Sequence, residues 1–110
     1  MEITVNEYKR VTVVTATGRV DSVTYSEFES ALQAEMEQGK VNIVLDFSEV
    51  EFISSAGLRV LVNARKLVKN AGGRIAFAQP SPQVTETLEI AGLEVLFESF
   101  PDRETAIATF

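Results

Sequence analysis

The residues best placed to do chemistry in this chain are two serines, Ser54 and Ser55, followed by Ala56, Gly57 and Leu58. They stand after an aliphatic run, Val41-Asn42-Ile43-Val44-Leu45, and just before a long helical pattern. The first backbone N–H groups of a helix have no partner inside it, and the helix dipole is positive at that end. A serine there caps the helix, or carries a phosphoryl group, because an anion is stabilised at this position. Ala56 and Gly57 have little side chain to obstruct an approaching protein. Two uses are therefore open for Ser54 and Ser55, helix cap and phosphate acceptor.

What the chain lacks narrows the choice. Among its 110 residues there is no histidine and no cysteine. Histidine is the commonest general base and metal ligand, so a Ser-His-Asp triad is ruled out. Disulfides and thiolate zinc sites are ruled out with cysteine. Neither a Gly-x-Ser-x-Gly elbow nor a Gly-x-x-x-x-Gly-Lys-Ser/Thr phosphate loop is present. No enzyme activity, metal or cofactor is expected of the chain itself. The formal net charge of -6 disfavours contact with nucleic acid and with anionic lipid surfaces. No apolar run approaches the ~20 residues of a membrane-spanning helix, so no direct membrane insertion is expected. The first residues do not have the make-up of a secretory signal, and a cytoplasmic location is expected.

The elements that must position the serines follow from hydrophobic spacing. Ile3 and Val5 alternate with polar neighbours, and Val11, Val13, Val14 and Ala16 form a second strand that Gly18 is expected to end. Thr24 and Glu27 have the spacing of a capping box, ahead of a helix facing inward with Phe28, Ala31, Leu32 and Met36 and stopping at Gly39. Val41 to Leu45 reads as a central strand buried on both faces, and Asp46 to Ser54 as a loop. A helix from Ser55 to about Ala71 carries the stripe Val60, Leu61, Ala64, Leu67, Val68 and Ala71, ended by Gly72-Gly73. Arg74 to Ala78 is a strand. Ser81 caps a helix with Pro82 at its first position and Val84, Leu88 and Ala91 inward, terminated by Gly92. Glu94 to Phe97 reads as a last strand, and Asp102 caps a final helix. The order β-β-α-β-α-β-α-β-α predicts one α/β domain over residues 1–110, a mixed, mainly parallel sheet of about five strands with about four helices.

The stretch from Leu45 through Ser54-Ser55-Ala56-Gly57-Leu58 resembles the signature of the STAS domain family, in particular the bacterial anti-sigma factor antagonists. Gly18-Arg19-Val20-Asp21 is similar to the family's Gly-x-(aliphatic)-Asp before its first helix. Gly72-Gly73-Arg74-Ile75, Pro82 through Leu88, and Ala91-Gly92-Leu93 match its later elements, so the likeness runs along the whole chain. The resemblance implies a phospho-switch. The unphosphorylated protein binds an anti-sigma factor with serine kinase activity, phosphorylation releases it, and a serine phosphatase resets the cycle. The family's phosphorylated serine falls on Ser55. The aspartate that usually precedes it is Ser54 here, which removes a negative charge and makes Ser54 a rival acceptor; the Ser/Thr that follows is Ala56.

The partner-binding surface expected from this likeness comprises Asp21, Ser54, Ser55, Ala56, Gly57, Leu58, Arg59 and Val62. Each has a plainer use. Asp21 can be a turn or capping aspartate. Arg59, with Arg65, Lys66 and Lys69, can simply face solvent. Leu58 and Val62 can be peripheral core. A second function stays open, a non-switching STAS subunit of a transporter or signalling assembly in which Ser55 is only a cap. Asp46 is expected to bond nearby backbone N–H groups and shape the loop before Ser54.

Overall fold

The computed structural model describes every residue from Met1 to Phe110. Five strands form one sheet in the order β1-β2-β3-β4-β5: β1 (Glu2–Glu7), β2 (Thr12–Val20), β3 (Asn42–Ile53), β4 (Arg74–Ala78) and β5 (Glu98–Phe100). β1 runs antiparallel to β2, and the other neighbours are parallel. The connections carry α1 (Tyr25–Glu37), α2 (Ser55–Asn70) and α3 (Pro82–Ile90), with α4 (Arg103–Ala108) at the end.

Alternation along the strands sorts side chains to two faces. Val14, Ala16, Ile43, Leu45, Phe47, Ile75 and Phe77 meet Phe28 and Leu32 of α1, Val60, Leu61, Ala64 and Val68 of α2, and Val84 and Leu88 of α3. Val13, Val44 and Ala78 turn the other way, toward Ala106 of α4. Phe28, Phe47, Phe77 and Phe97 thread the larger core as a chain of tilted rings with centroids 5.4, 5.2 and 5.3 Å apart. Offset geometry of this kind suits the ring quadrupoles. The sheet between α4 and the three helices is the doubly covered architecture that Val41 to Leu45 predicts.

The helix ends follow their sequence signals. The N–H of Lys40, Gly73 and Leu93 reaches back to the carbonyls of Glu35, Val68 and Leu88 at 3.0, 2.7 and 2.9 Å, closing α1, α2 and α3. Ser81 accepts from the Val84 N–H, and Asp102 from the Thr105 N–H at 2.7 Å.

Strand ends depart from expectation. Gly18 does not stop β2, which continues to Val20. With φ at +99°, Gly18 sits where the β2–β3 register shifts, a conformation open to glycine without strain. Nor is Asp46 to Ser54 a loop, because β3 runs on to Ile53 with Phe47, Val50 and Ile53 buried. The register shifts break the two-residue period, so the hydrophobic pattern of this half of β3 is not that of a strand. Glu94 to Leu96 is a 3₁₀ turn rather than a strand, and β5 begins at Glu98. Ala91 and Ala71 are exposed, and Leu67 is 46% exposed beside Gln33 and Met36 of α1, whereas its neighbour Val68 is buried.

Candidate functional site

β2 and β3 finish side by side, Val20 paired with Ile53, and the chain turns there into α2. The Ser54 N–H donates to the Val20 carbonyl at 2.8 Å, which continues the ladder by one bond. Ser54 itself is extended (φ -87°, ψ 174°) and is the N-cap of α2; its Oγ accepts from the Gly57 N–H at 3.3 Å. Gly57 faces the strand ends so closely that a Cβ would lie 2.8 Å from both Ile53 Cγ1 and Val20 Cγ1. Ser55 is the first helical residue, exposed, and its hydroxyl makes no hydrogen bond within the chain. The two serines thus separate, one satisfying the helix end and one presenting a free hydroxyl beside unpaired N–H groups at the positive end of the dipole.

The other predicted site residues fall around this turn. Asp21 lies one residue beyond Val20 and accepts from the N–H groups of Val23 and Thr24 at 2.9 and 3.1 Å. These two bonds hold its carboxyl below the ordinary carboxylate range, with the Thr24 hydroxyl and Arg19 (3.6 Å) adding to the effect. The capping box predicted from Thr24 and Glu27 does not form, because the Thr24 hydroxyl is turned to the Arg19 carbonyl at 2.6 Å. Asp21 and Thr24 order the entry to α1 together, since the Thr24 hydroxyl oxygen also accepts from the Asp21 N–H at 3.0 Å. Ala56 is half-buried, and Leu58 is half-buried against the larger core. Arg59 is exposed and Val62 is 36% exposed. Tyr25, Glu29, Ala56, Arg59, Val62 and Lys66 border a groove of about 380 Å³ between α1 and α2 that opens beside the serines.

Two residues of this surface carry no pattern that sequence spacing picks out. Val23 is 81% exposed in the Asp21–Thr24 turn, and Phe52 is 39% exposed on the face of β3 opposite Ile53. The Arg19 guanidinium covers the Phe52 ring at 4.4 Å, a cation–π contact that leaves apolar and cationic surface next to the site. Phe52 becomes legible only once β3 is known to reach Ile53. Two other polar residues prove structural. Arg65 donates through Nε to the Leu96 carbonyl at 2.6 Å, which ties α2 to the 3₁₀ turn. Asp46 accepts from the Ser48 N–H and hydroxyl, as expected, but its main partner is Arg103 of α4 at 2.6 Å, on the far face from α2. It therefore anchors α4 and does not shape the serine turn. No three acidic side chains converge as metal ligands would, and no helix is long and apolar enough to cross a membrane.

This turn, with a free serine at the start of a helix packed on two parallel strand ends, lies within residues 2–106, the span that matches the STAS domain. The chain belongs to the STAS domain family. This STAS domain is 31% identical to BtrV of Bordetella bronchiseptica over 100% of the chain and 95% of that protein, whose name places it among anti-sigma factor antagonists. It superposes on an anti-sigma factor antagonist from Mycobacterium paratuberculosis with a TM-score of 0.88, at 26% identity and covering 98% and 92% of the two chains. The Bacillus cell fate determinant SpoIIAA in its phosphorylated form shares the fold at a TM-score of 0.77, with 19% identity and 98% of each chain covered.

Proposed function

We propose that this STAS domain is an anti-sigma factor antagonist switched by phosphorylation of Ser55. Unmodified, it binds an anti-sigma factor with serine kinase activity in the cytoplasm and so frees a sigma factor. The Ser55 oxygen attacks the γ-phosphorus of the kinase's ATP, the bond to the bridging oxygen of ADP breaks, and the serine proton leaves to a base of the kinase. A serine phosphatase then restores the hydroxyl by hydrolysis. Names of relatives support the antagonist part, and a relative of this fold exists in a phosphorylated form.

One observation carries the choice of residue. Ser54 is committed to the Gly57 N–H, whereas Ser55 is exposed with an unengaged hydroxyl. A phosphate on Ser54 would remove the cap; on Ser55 it adds a dianion where the dipole favours it. The added charge of about -1.5 to -2 disrupts an interface fitted to a neutral hydroxyl through desolvation and like-charge contact. The domain need not change shape.

The test is to incubate the purified protein with ATP and an extract of its own organism under phosphatase inhibition, then map the modification by fragment-ion mass spectrometry. One phosphoryl group on Ser55 is the expected result. Phosphate on Ser54 instead would refute the assignment of roles to the two serines. No phosphate, beside an active control substrate, would reduce Ser55 to a surface residue and leave a non-switching docking subunit as the better reading.

A further inference from the structure

Arg59 stands four residues after Ser55 on α2. Residues so spaced share a helix face, with Cβ atoms about 5–6 Å apart. Arg59 is exposed, makes no hydrogen bond or ion pair within the chain, and borders the α1–α2 groove. Most other arginines are engaged: Arg19 with Asp21 and Phe52, Arg65 with the Leu96 carbonyl, Arg74 with Glu98 and Thr109, and Arg103 with Asp46 and Thr15. Arg10 lies in the β1–β2 turn, at the opposite end of β2 from Ser54.

We infer that Arg59 reads the state of Ser55 and transmits it to the groove. In the unmodified chain its guanidinium borders the groove without an ion pair, although Glu29 lines the same groove, and it fits an acidic side chain of the bound partner. A phosphoryl group on Ser55 places a dianion on the same helix face, N-terminal to the arginine, which is the favourable order for a helical ion pair. The guanidinium is planar and presents several donors, so it takes a phosphate in charge-assisted hydrogen bonds. Once paired, it no longer offers its charge to the partner. A single modification thereby alters two parts of the surface, the turn at Ser55 and the groove beside it. This inference rests on Ser55 being the phosphate acceptor.

Phosphoserine installed at position 55 during synthesis makes the test independent of any kinase. The second pKa of a phosphoserine is about 6 and is read by phosphorus NMR titration. In the wild-type background it should lie about 0.3 pH units below its value in Arg59→Gln, the size an exposed pair at this spacing implies. The surrounding charges, Arg19 and Asp21 at the β2–α1 turn, Glu27 and Glu29 on α1, Glu51 on β3 and Lys66 on α2, are the same in both proteins, so the difference isolates Arg59. Lys66→Gln should leave the value where it is. Equal pKa values in wild type and Arg59→Gln would overturn the pairing. In the unmodified state, Arg59→Gln should bind the kinase, purified from the same extract by its activity toward Ser55, several-fold more weakly, with Arg59→Lys recovering part of the loss. Undiminished binding would overturn the groove contact. If phosphoserine at 55 left partner binding intact, the Ser55 switch itself would be refuted, while the pKa comparison would still decide whether the two residues pair.

Discussion

Adjacent serines of identical chemistry are given different work by one backbone step. Ser54 is extended and its oxygen turns back to the Gly57 N–H; Ser55 has entered the helix and its oxygen turns outward. The difference is testable on stability. Ser54→Ala should cost about 1 kcal/mol, the usual loss of a serine cap, read as a lower urea midpoint with an unchanged slope. Ser55→Ala should stay within about 0.5 kcal/mol of wild type while losing all phosphate acceptance. A larger stability loss at Ser55 than at Ser54 would mean that the cap has been assigned to the wrong residue.

At the scale of the element, the start of α2 is held down by absence of side chain. Gly57 lets the helix touch the ends of β2 and β3, and the Ser54 N–H joins that end to Val20. A Cβ at position 57 meets branched side chains at 2.8 Å, a separation that real contacts do not tolerate. Gly57→Ala should therefore destabilise by roughly 1–3 kcal/mol, as overpacking does, although alanine is the better helix former. Thermal melting measures the loss, and partner binding should fall further than stability alone explains, because the turn carrying Ser55 shifts with the helix. A stabilised Gly57→Ala would show that helix propensity, not close approach, governs this position.

The whole molecule is held on its second face by a short helix. α4 has six residues, too few to be stable alone, and Arg103 at its first position pins it to Asp46 of β3 at 2.6 Å and to Thr15 of β2. Burial alone would push the Asp46 carboxyl up, but hydrogen bonds from Arg103 and Ser48 outweigh it and hold the pKa below the ordinary carboxylate value. A carboxyl with a lower pKa folded than unfolded stabilises above its unfolded value of about 4, and that stability drains away as pH falls through the folded value. Arg103→Gln should cost about 1.5–3 kcal/mol at neutral pH, since it removes a charged hydrogen bond from a buried carboxylate. It should also flatten the fall in stability below about pH 4. Urea midpoints across pH 2.5 to 7 (a range set around the carboxylate pKa) give both quantities, and parallel acid profiles for the two proteins would contradict the role of the pair.

Local chemistry by itself determined the class of fold, the element order, the three capped helix starts at Ser54–Ser55, Ser81 and Asp102, and the glycines that follow the ends of α1, α2 and α3. Caps, glycine ends and hydrophobic periods act within a few residues, so the chain carries them in plain view. Tertiary structure decided what depends on distant partners. β3 extends to Ile53 because β2 pairs with it past two register shifts, and a slipped period hides that from any local pattern. Phe52 and Val23 join the surface around Ser55 only through that extension and the Asp21 turn. Asp46 belongs to α4 because an arginine 57 residues onward reaches it. Which of Ser54 and Ser55 caps α2 is set by where β3 stops and α2 begins.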